Sequence, residues 1–193
     1  MHVISKDSPC YFLTSVAKDR LPVFRKDEMK DITCKALDEA RKSGKFALYA
    51  YVIMPDHLHL ITDSARSSED ALRFTNGIIS HRLITHLKEQ GYERSLLKLR
   101  QETKRRHYQH SLWDHHPNVR VLHTEKMLLE RVHYIHENPV RAGLVERAED
   151  YRYSSVRCWN GRLLTDEPLL MNIDQIKWRS GRRSLPDLLS CGR

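Results

Sequence analysis

The chain has 193 residues, 33 Lys and Arg against 25 Asp and Glu, and a formal net charge of +8. It has room for one well-cored domain with an appendage, and its charge favours a polyanionic partner over an acidic protein surface. No apolar run approaches the roughly 20 residues of a membrane helix, and no basic segment leads into an apolar one at the start, so neither a span nor a secretory leader is expected.

Cys10, Cys34, Cys158 and Cys191 lack C-x-x-C spacing. Neither a zinc knuckle nor a disulfide framework is expected, and reduced thiols point to the cytoplasm. In chain order, residues 11–16 are a short β-prone run. Residues 24–42 put Met29, Ile32, Ala36 and Ala40 on one side of a helix ending near Gly44. Residues 46–54 and 57–62 read as two strands joined at Pro55-Asp56. The first of them is an unbroken apolar run, which suits a strand buried on both faces. Ser67-Ser68-Glu69-Asp70 opens a second helix, with Leu72, Ile79, Leu83 and Leu87 on its apolar side and a stop near Gly91.

Residues 119–122 read as a strand, with a strand piece at Trp113 before it. From Thr124, an N-cap, Met127, Leu128, Leu129, Val132 and Ile135 recur at helical spacing as far as Asn138. Pro139 is expected to stop this helix and Gly143 to allow a reversal. Strand, helix, strand, strand, helix, strand is the split βαβ or ferredoxin-like order, an α+β fold with a central antiparallel sheet. The extra helix follows the last strand, and a helical or irregular tail closes the chain.

Two stretches carry chemistry. His57 and His59 stand at i and i+2 of a strand, so their imidazoles share a face and make half of a metal site. The competing reading is a pair of satisfied structural histidines. Tyr134 and Asn138 are i and i+4 on a helix, which puts a phenol nucleophile and an amide oxygen on one face. A tyrosine that packs its ring, and an asparagine that caps the helix before Pro139, are the duller alternatives. His136 and Glu137 fall on other faces and read as surface residues or supports. His133 is a candidate to orient a phosphate. Asp56 either holds an imidazole or only makes the turn.

These pieces resemble the single-tyrosine HUH transposases, and most closely the REP-associated tyrosine transposases of bacteria. The resemblance rests on Met54-Pro55-Asp56-His57-Leu58-His59, on the helix motif Tyr134-Ile135-His136-Glu137-Asn138-Pro139-Val140-Arg141-Ala142-Gly143-Leu144-Val145, and on Tyr151-Arg152-Tyr153-Ser154-Ser155. It covers residues 8–157 and leaves 158–193 as a basic tail. It implies that Tyr134 is the nucleophile and that His57, His59 and Asn138 hold a divalent metal, Mg²⁺ or Mn²⁺. It also implies nicking and transfer of single-stranded or hairpin DNA through a 5′-phosphotyrosine, by a monomer or homodimer that is cytoplasmic and nucleoid-associated when on DNA. A metal-dependent nuclease using water, and a hairpin-binding module without catalysis, are the competing classes.

Residues 88–120 form a basic insertion longer than the family pattern needs. Lys88, Arg94, Lys98, Arg100, Lys104, Arg105, Arg106 and Arg120 are interleaved there with Tyr92, Tyr108 and Trp113. Phosphates and unstacked bases together call for such a pattern, though a solvated helix with ordinary surface cations gives it too. Lys98, Arg100, Lys104, Arg105, Arg106, Arg120 and Arg141 are the expected DNA contacts. His107, His110, His115 and His116 fit no standard metal spacing. A linker-like stretch over 160–168 leads to a tail with Lys177, Trp178, Arg179, Arg182, Arg183 and Arg193, expected to order only on DNA.

Overall fold

Pro55 and Asp56 turn the apolar run back on itself. The strands β2 (Leu48–Ile53) and β3 (His57–Thr62) pair antiparallel across them, with Met54 N–H donating to the His57 carbonyl at 2.8 Å. β3 pairs on its far side with β1 (Cys10–Val16), and β1 with β4 (Asn118–Leu122), giving an antiparallel sheet of order β2-β3-β1-β4. The structure, a computed structural model, describes residues 1–63, 67–101, 109–114 and 117–178. Helices α1 (Asp27–Gly44) and α2 (Ser68–Glu89) occupy the crossovers, followed by α3 (Glu93–Leu99), α4 (Glu125–Arg141) and α5 (Val156–Asn160). This is the expected α+β, ferredoxin-like order.

The two long crossover helices pack on each other, and α2 lies against β1. Ser15 Oγ ties that face to α2 by donating to Asn76 Oδ1 at 2.8 Å. The opposite face, which carries His59, lies under α4, whose contacts reach β2, β3 and β4. Side-chain caps start both α2 and α4, with Ser67 accepting from Asp70 N–H and Thr124 from Met127 N–H. Trp113 bridges to Ala17, as the expected strand piece.

Every residue of β2 is buried, as its unbroken apolar run predicted. Its outer edge is covered by the chain after α4. Ile53 N–H donates to the Tyr153 carbonyl and Ser155 N–H to the Tyr51 carbonyl, each at 3.0 Å. Trp159 is wholly buried and donates from Nε1 to the Tyr49 carbonyl at 2.8 Å. An open edge would leave these backbone groups unpaired. The linker-like stretch is exposed over 161–166, and the start of the tail after it returns to this same core. Leu169, Ile173 and Ile176 are buried, and Asn172 Oδ1 accepts from Leu48 N–H at 3.0 Å. Arg157 and Glu167, whose side chains are 6% and 2% exposed, form an ion pair at 2.8 Å that ties the end of the exposed stretch to the interior. The basic tail beyond Trp178 lies outside the described residues.

Three expectations need correction. Pro139 does not stop α4, which runs through it to Arg141. The ring of Pro139 is buried, which offsets the N–H it cannot give to the Ile135 carbonyl, and the neighbouring Tyr134 carbonyl accepts from Asn138 Nδ2 at 2.7 Å and Arg141 Nη2 at 3.2 Å, so side chains brace the last turn. Gly143 then makes the reversal at φ +67°. In the basic insertion, Trp113 is buried with its Nε1 donating to the Asn76 carbonyl, and Tyr92 packs on the core under Lys26. These two rings are therefore packing groups and not platforms for bases.

His136 is the third. It is 4% exposed, with Nε2 2.9 Å from Ser155 Oγ and its ring edge-on to Trp159. Burial, helped by His133, pushes its pKa down to about 3. An unfolded imidazole titrates near 6.5, so between about pH 3 and 6.5 the unfolded chain binds the extra proton and stability falls with pH. Going from pH 7.5 to 5.5 should cost about 1.4 kcal/mol through His136 alone. Denaturant melts at both pH values should show His136→Gln spared that amount; equal losses in variant and wild type would refute the linkage.

Candidate active site

Alternate residues of three strands face α4. Across the register, Thr14 lies opposite His59 and Asn118, Val16 opposite His57, and Phe12 opposite Arg120. Because opposed residues of an antiparallel pair share a face, all of these point to one side. α4 brings Tyr134 and Asn138 to the same side. With Arg20 and Arg131 they line an open cleft of about 500 Å³.

The imidazole rings of His57 and His59 are 4.8 Å apart, centroid to centroid. The Tyr134 ring stands edge-on to His59 at 5.6 Å and to Phe12 at 5.9 Å. Each imidazole is held at Nδ1. His57 Nδ1–H donates to Asp56 Oδ1 at 2.6 Å, and the same carboxylate accepts from Arg20 Nη1 at 3.0 Å. Burial pushes the Asp56 carboxyl up, but the bonds from His57 and Arg20 outweigh it and hold the group below its ordinary value. His59 Nδ1 lies 2.8 Å from Thr14 Oγ1. Burial first, then the neighbouring His57 and Arg131, push the His59 pKa down to about 3. Its ring is neutral at pH 7, the form that binds metals.

This arrangement fits the metal that the motif implies. With Nδ1 engaged on both rings, Nε2 is the nitrogen left for a cation on each. Asn138 Nδ2 is committed to the Tyr134 carbonyl, which leaves Oδ1 as the atom available to ligate. Two neutral imidazoles and one amide oxygen add no negative charge, so a bound cation would keep its full attraction for phosphate. Among the described residues, no group of three or more His, Cys, Asp or Glu that could hold a metal ion occurs, here or elsewhere, so a cation in this cleft would rest on the two imidazoles and the amide oxygen.

The guanidinium groups of Arg131 and Arg141 both lie against the Tyr134 ring, at 5.5 and 4.7 Å from its centre. Of the expected DNA contacts, Arg120 lines the cleft and Arg141 touches Tyr134. Lys98 and Arg100 are exposed and do not line it; their carbonyls accept from Lys18 Nζ instead. Lys104, Arg105 and Arg106 lie outside the described residues. Sequence reasoning missed Thr14, Arg20, Asn118 and Arg131. Only Arg131 carried a local signal, being three residues before Tyr134 on the same helix. Thr14 and Asn118 reach the site through strand register, which the sequence does not display.

A sequence model of the IS200-like transposases matches residues 7–138. A Haemophilus influenzae protein assigned as a REP-associated tyrosine transposase is 28% identical over 153 residues, 75% of this chain and 78% of that one. Among solved structures, a REP-associated tyrosine transposase bound to a REP hairpin superposes with a TM-score of 0.59. It is 16% identical, over 95% of each chain, and supports the fold. A Deinococcus radiodurans protein assigned as a transposase is 22% identical, with a TM-score of 0.47 over 66% of this chain and 88% of that one.

Proposed function

The chain belongs to the IS200-like transposase family, whose members are DNA-cleaving enzymes, and we propose that it nicks and rejoins single-stranded DNA with Tyr134 as nucleophile. The observation that carries this reading is the meeting of Tyr134, Asn138, His57 and His59 in one cleft. The phenol oxygen of Tyr134 attacks phosphorus as the bond from phosphorus to the 3′ oxygen breaks. The phenol gives up its proton to solvent and the leaving 3′ oxygen takes one up, so no net proton or electron is consumed. The products are a 5′-phosphotyrosine and a free 3′-hydroxyl. Attack by a 3′-hydroxyl on that linkage reverses the step, which keeps the bond energy and needs no ATP.

His57, His59 and Asn138 would hold a divalent cation, Mg²⁺ or Mn²⁺. When bound, it supplies positive charge beside the nonbridging phosphate oxygens. Asp56 and Thr14 orient the two imidazoles by holding Nδ1. Arg120, Arg141 and the Lys104-Arg105-Arg106 cluster take backbone phosphates. Hairpin-forming DNA is the substrate class, a reading supported by the net charge of +8 and by the likeness to a hairpin-bound transposase. Tyr134 and both imidazoles line one cleft within a single chain, which supports a nick by a monomer, with a homodimer as the alternative, in the cytoplasm at the nucleoid.

The test incubates the protein with 3′-labelled, hairpin-bearing single-stranded DNA and Mg²⁺, then runs a denaturing gel. The expected result is a labelled protein band that survives detergent, disappears on proteolysis, is lost with a chelator, and maps to the Tyr134 peptide. Cleavage without an adduct would favour a nuclease using water. Binding without cleavage would favour a hairpin-recognition module.

A further inference from the structure

Four arginines sit at or beside the cleft, and they differ in what already occupies them. Arg20 is paired with Asp56 at 3.0 Å. Arg141 donates to the Tyr134 carbonyl. Arg120 is exposed on β4. Arg131 is half-buried, lines the cleft, and forms no ion pair or side-chain hydrogen bond among the described residues. Its Cζ lies 5.5 Å from the centres of both the Phe12 and Tyr134 rings.

A half-buried guanidinium without an anion is a costly arrangement, because its charge has lost part of its hydration and gained no partner. Ring contacts engage its π face, whereas its five N–H donors lie in the plane and match the oxygens of a phosphate. Substrate is the natural source of the missing anion. We propose that Arg131 is a catalytic residue that donates hydrogen bonds to a nonbridging oxygen of the phosphate attacked by Tyr134. This inference rests on the nicking reaction proposed above. Arg131 sits one helical turn before Tyr134, so the group that attacks and the group that holds the target share one rigid element. Arg131 makes and breaks no covalent bond. It neutralises charge that builds on the equatorial oxygens as the bond to Tyr134 forms and the bond to the 3′ oxygen breaks.

The experiment measures single-turnover adduct formation by wild type, Arg131→Lys and Arg131→Met. Three substrates are used, one with an ordinary diester at the mapped cleavage position and one with each of the two methylphosphonate diastereomers there. On the diester, Arg131→Met should react roughly 10²–10³-fold more slowly, and Arg131→Lys should recover part of the loss. With the diastereomer that replaces the contacted oxygen by methyl, the wild-type advantage should vanish. Thermal melting of Arg131→Lys should match wild type and that of Arg131→Met should be no lower, since the neutral side chain removes an unpaired, half-buried charge. An equal slowing on all substrates would mean that Arg131 only buttresses the Tyr134 ring, and would overturn the proposal, as would an undiminished rate. Wild-type cleavage without a Tyr134 adduct would instead overturn the nicking reaction itself.

Discussion

Tyr134→Phe is expected to abolish the covalent protein–DNA product, a loss of roughly 10⁴-fold or more, while melting stays within about 0.5 kcal/mol of wild type. The substitution removes one oxygen. The ring remains to meet His59, Phe12, Arg131 and Arg141, the contacts that hold it in the cleft. Hairpin binding should survive, because phosphate contacts dominate affinity. Neither nearby tyrosine can substitute. The Tyr151 hydroxyl donates to the Ile53 carbonyl at 2.7 Å, and the Tyr153 hydroxyl donates to Asp31 Oδ1 at 3.0 Å. A gel for adduct, a filter assay for binding and a melt for stability together decide the matter. A residual adduct in the variant would remove Tyr134 from the reaction.

Glu167→Ala should cost about 3–5 kcal/mol of folding stability, the largest loss expected from one charged side chain here. Its two oxygens receive Arg157 Nε at 3.0 Å and Nη2 at 2.8 Å, with both side chains almost out of water. Arg157 also donates from Nη1 to the carbonyls of Glu149 and Tyr151. Removing Glu167 strands the guanidinium in that place with its charge uncompensated. Replacing both partners, as Arg157→Met with Glu167→Leu, should recover much of the loss, since an apolar pair leaves no buried charge. Urea titrations of the single and double variants measure this. A single-variant loss below about 1 kcal/mol would show that water reaches the pair.

The site's two halves were legible because each depends on a short-range period. His57 and His59 needed only the two-residue repeat of a strand, and Tyr134 and Asn138 only the four-residue spacing of a helix. Thr14 was illegible, because nothing near it in sequence reveals that β1 pairs with β3 in the register placing it opposite His59. Pro139 misled for the converse reason. The local rule ends a helix before proline, yet burial of its ring outweighs the one hydrogen bond lost at the Ile135 carbonyl in the last turn. Residues 160–168 looked like linker because they are polar and hold Gly161 and Pro168. Most of that stretch is indeed exposed, but Glu167 ties its far end to Arg157 in the interior, a pairing visible only once the two are known to face each other.

The cover on β2 also sets a clock for biosynthesis. Tyr49 waits for Trp159, 110 residues later in the chain, before its carbonyl is bonded. At about 5–20 residues per second, a ribosome needs roughly 5–20 s to make that interval. Throughout it, an apolar strand with an unpaired edge is exposed to other nascent chains, the condition under which strands aggregate. Codons that slow translation between β2 and α5 should therefore lower the yield of folded protein, whereas the same pause after α5 should not.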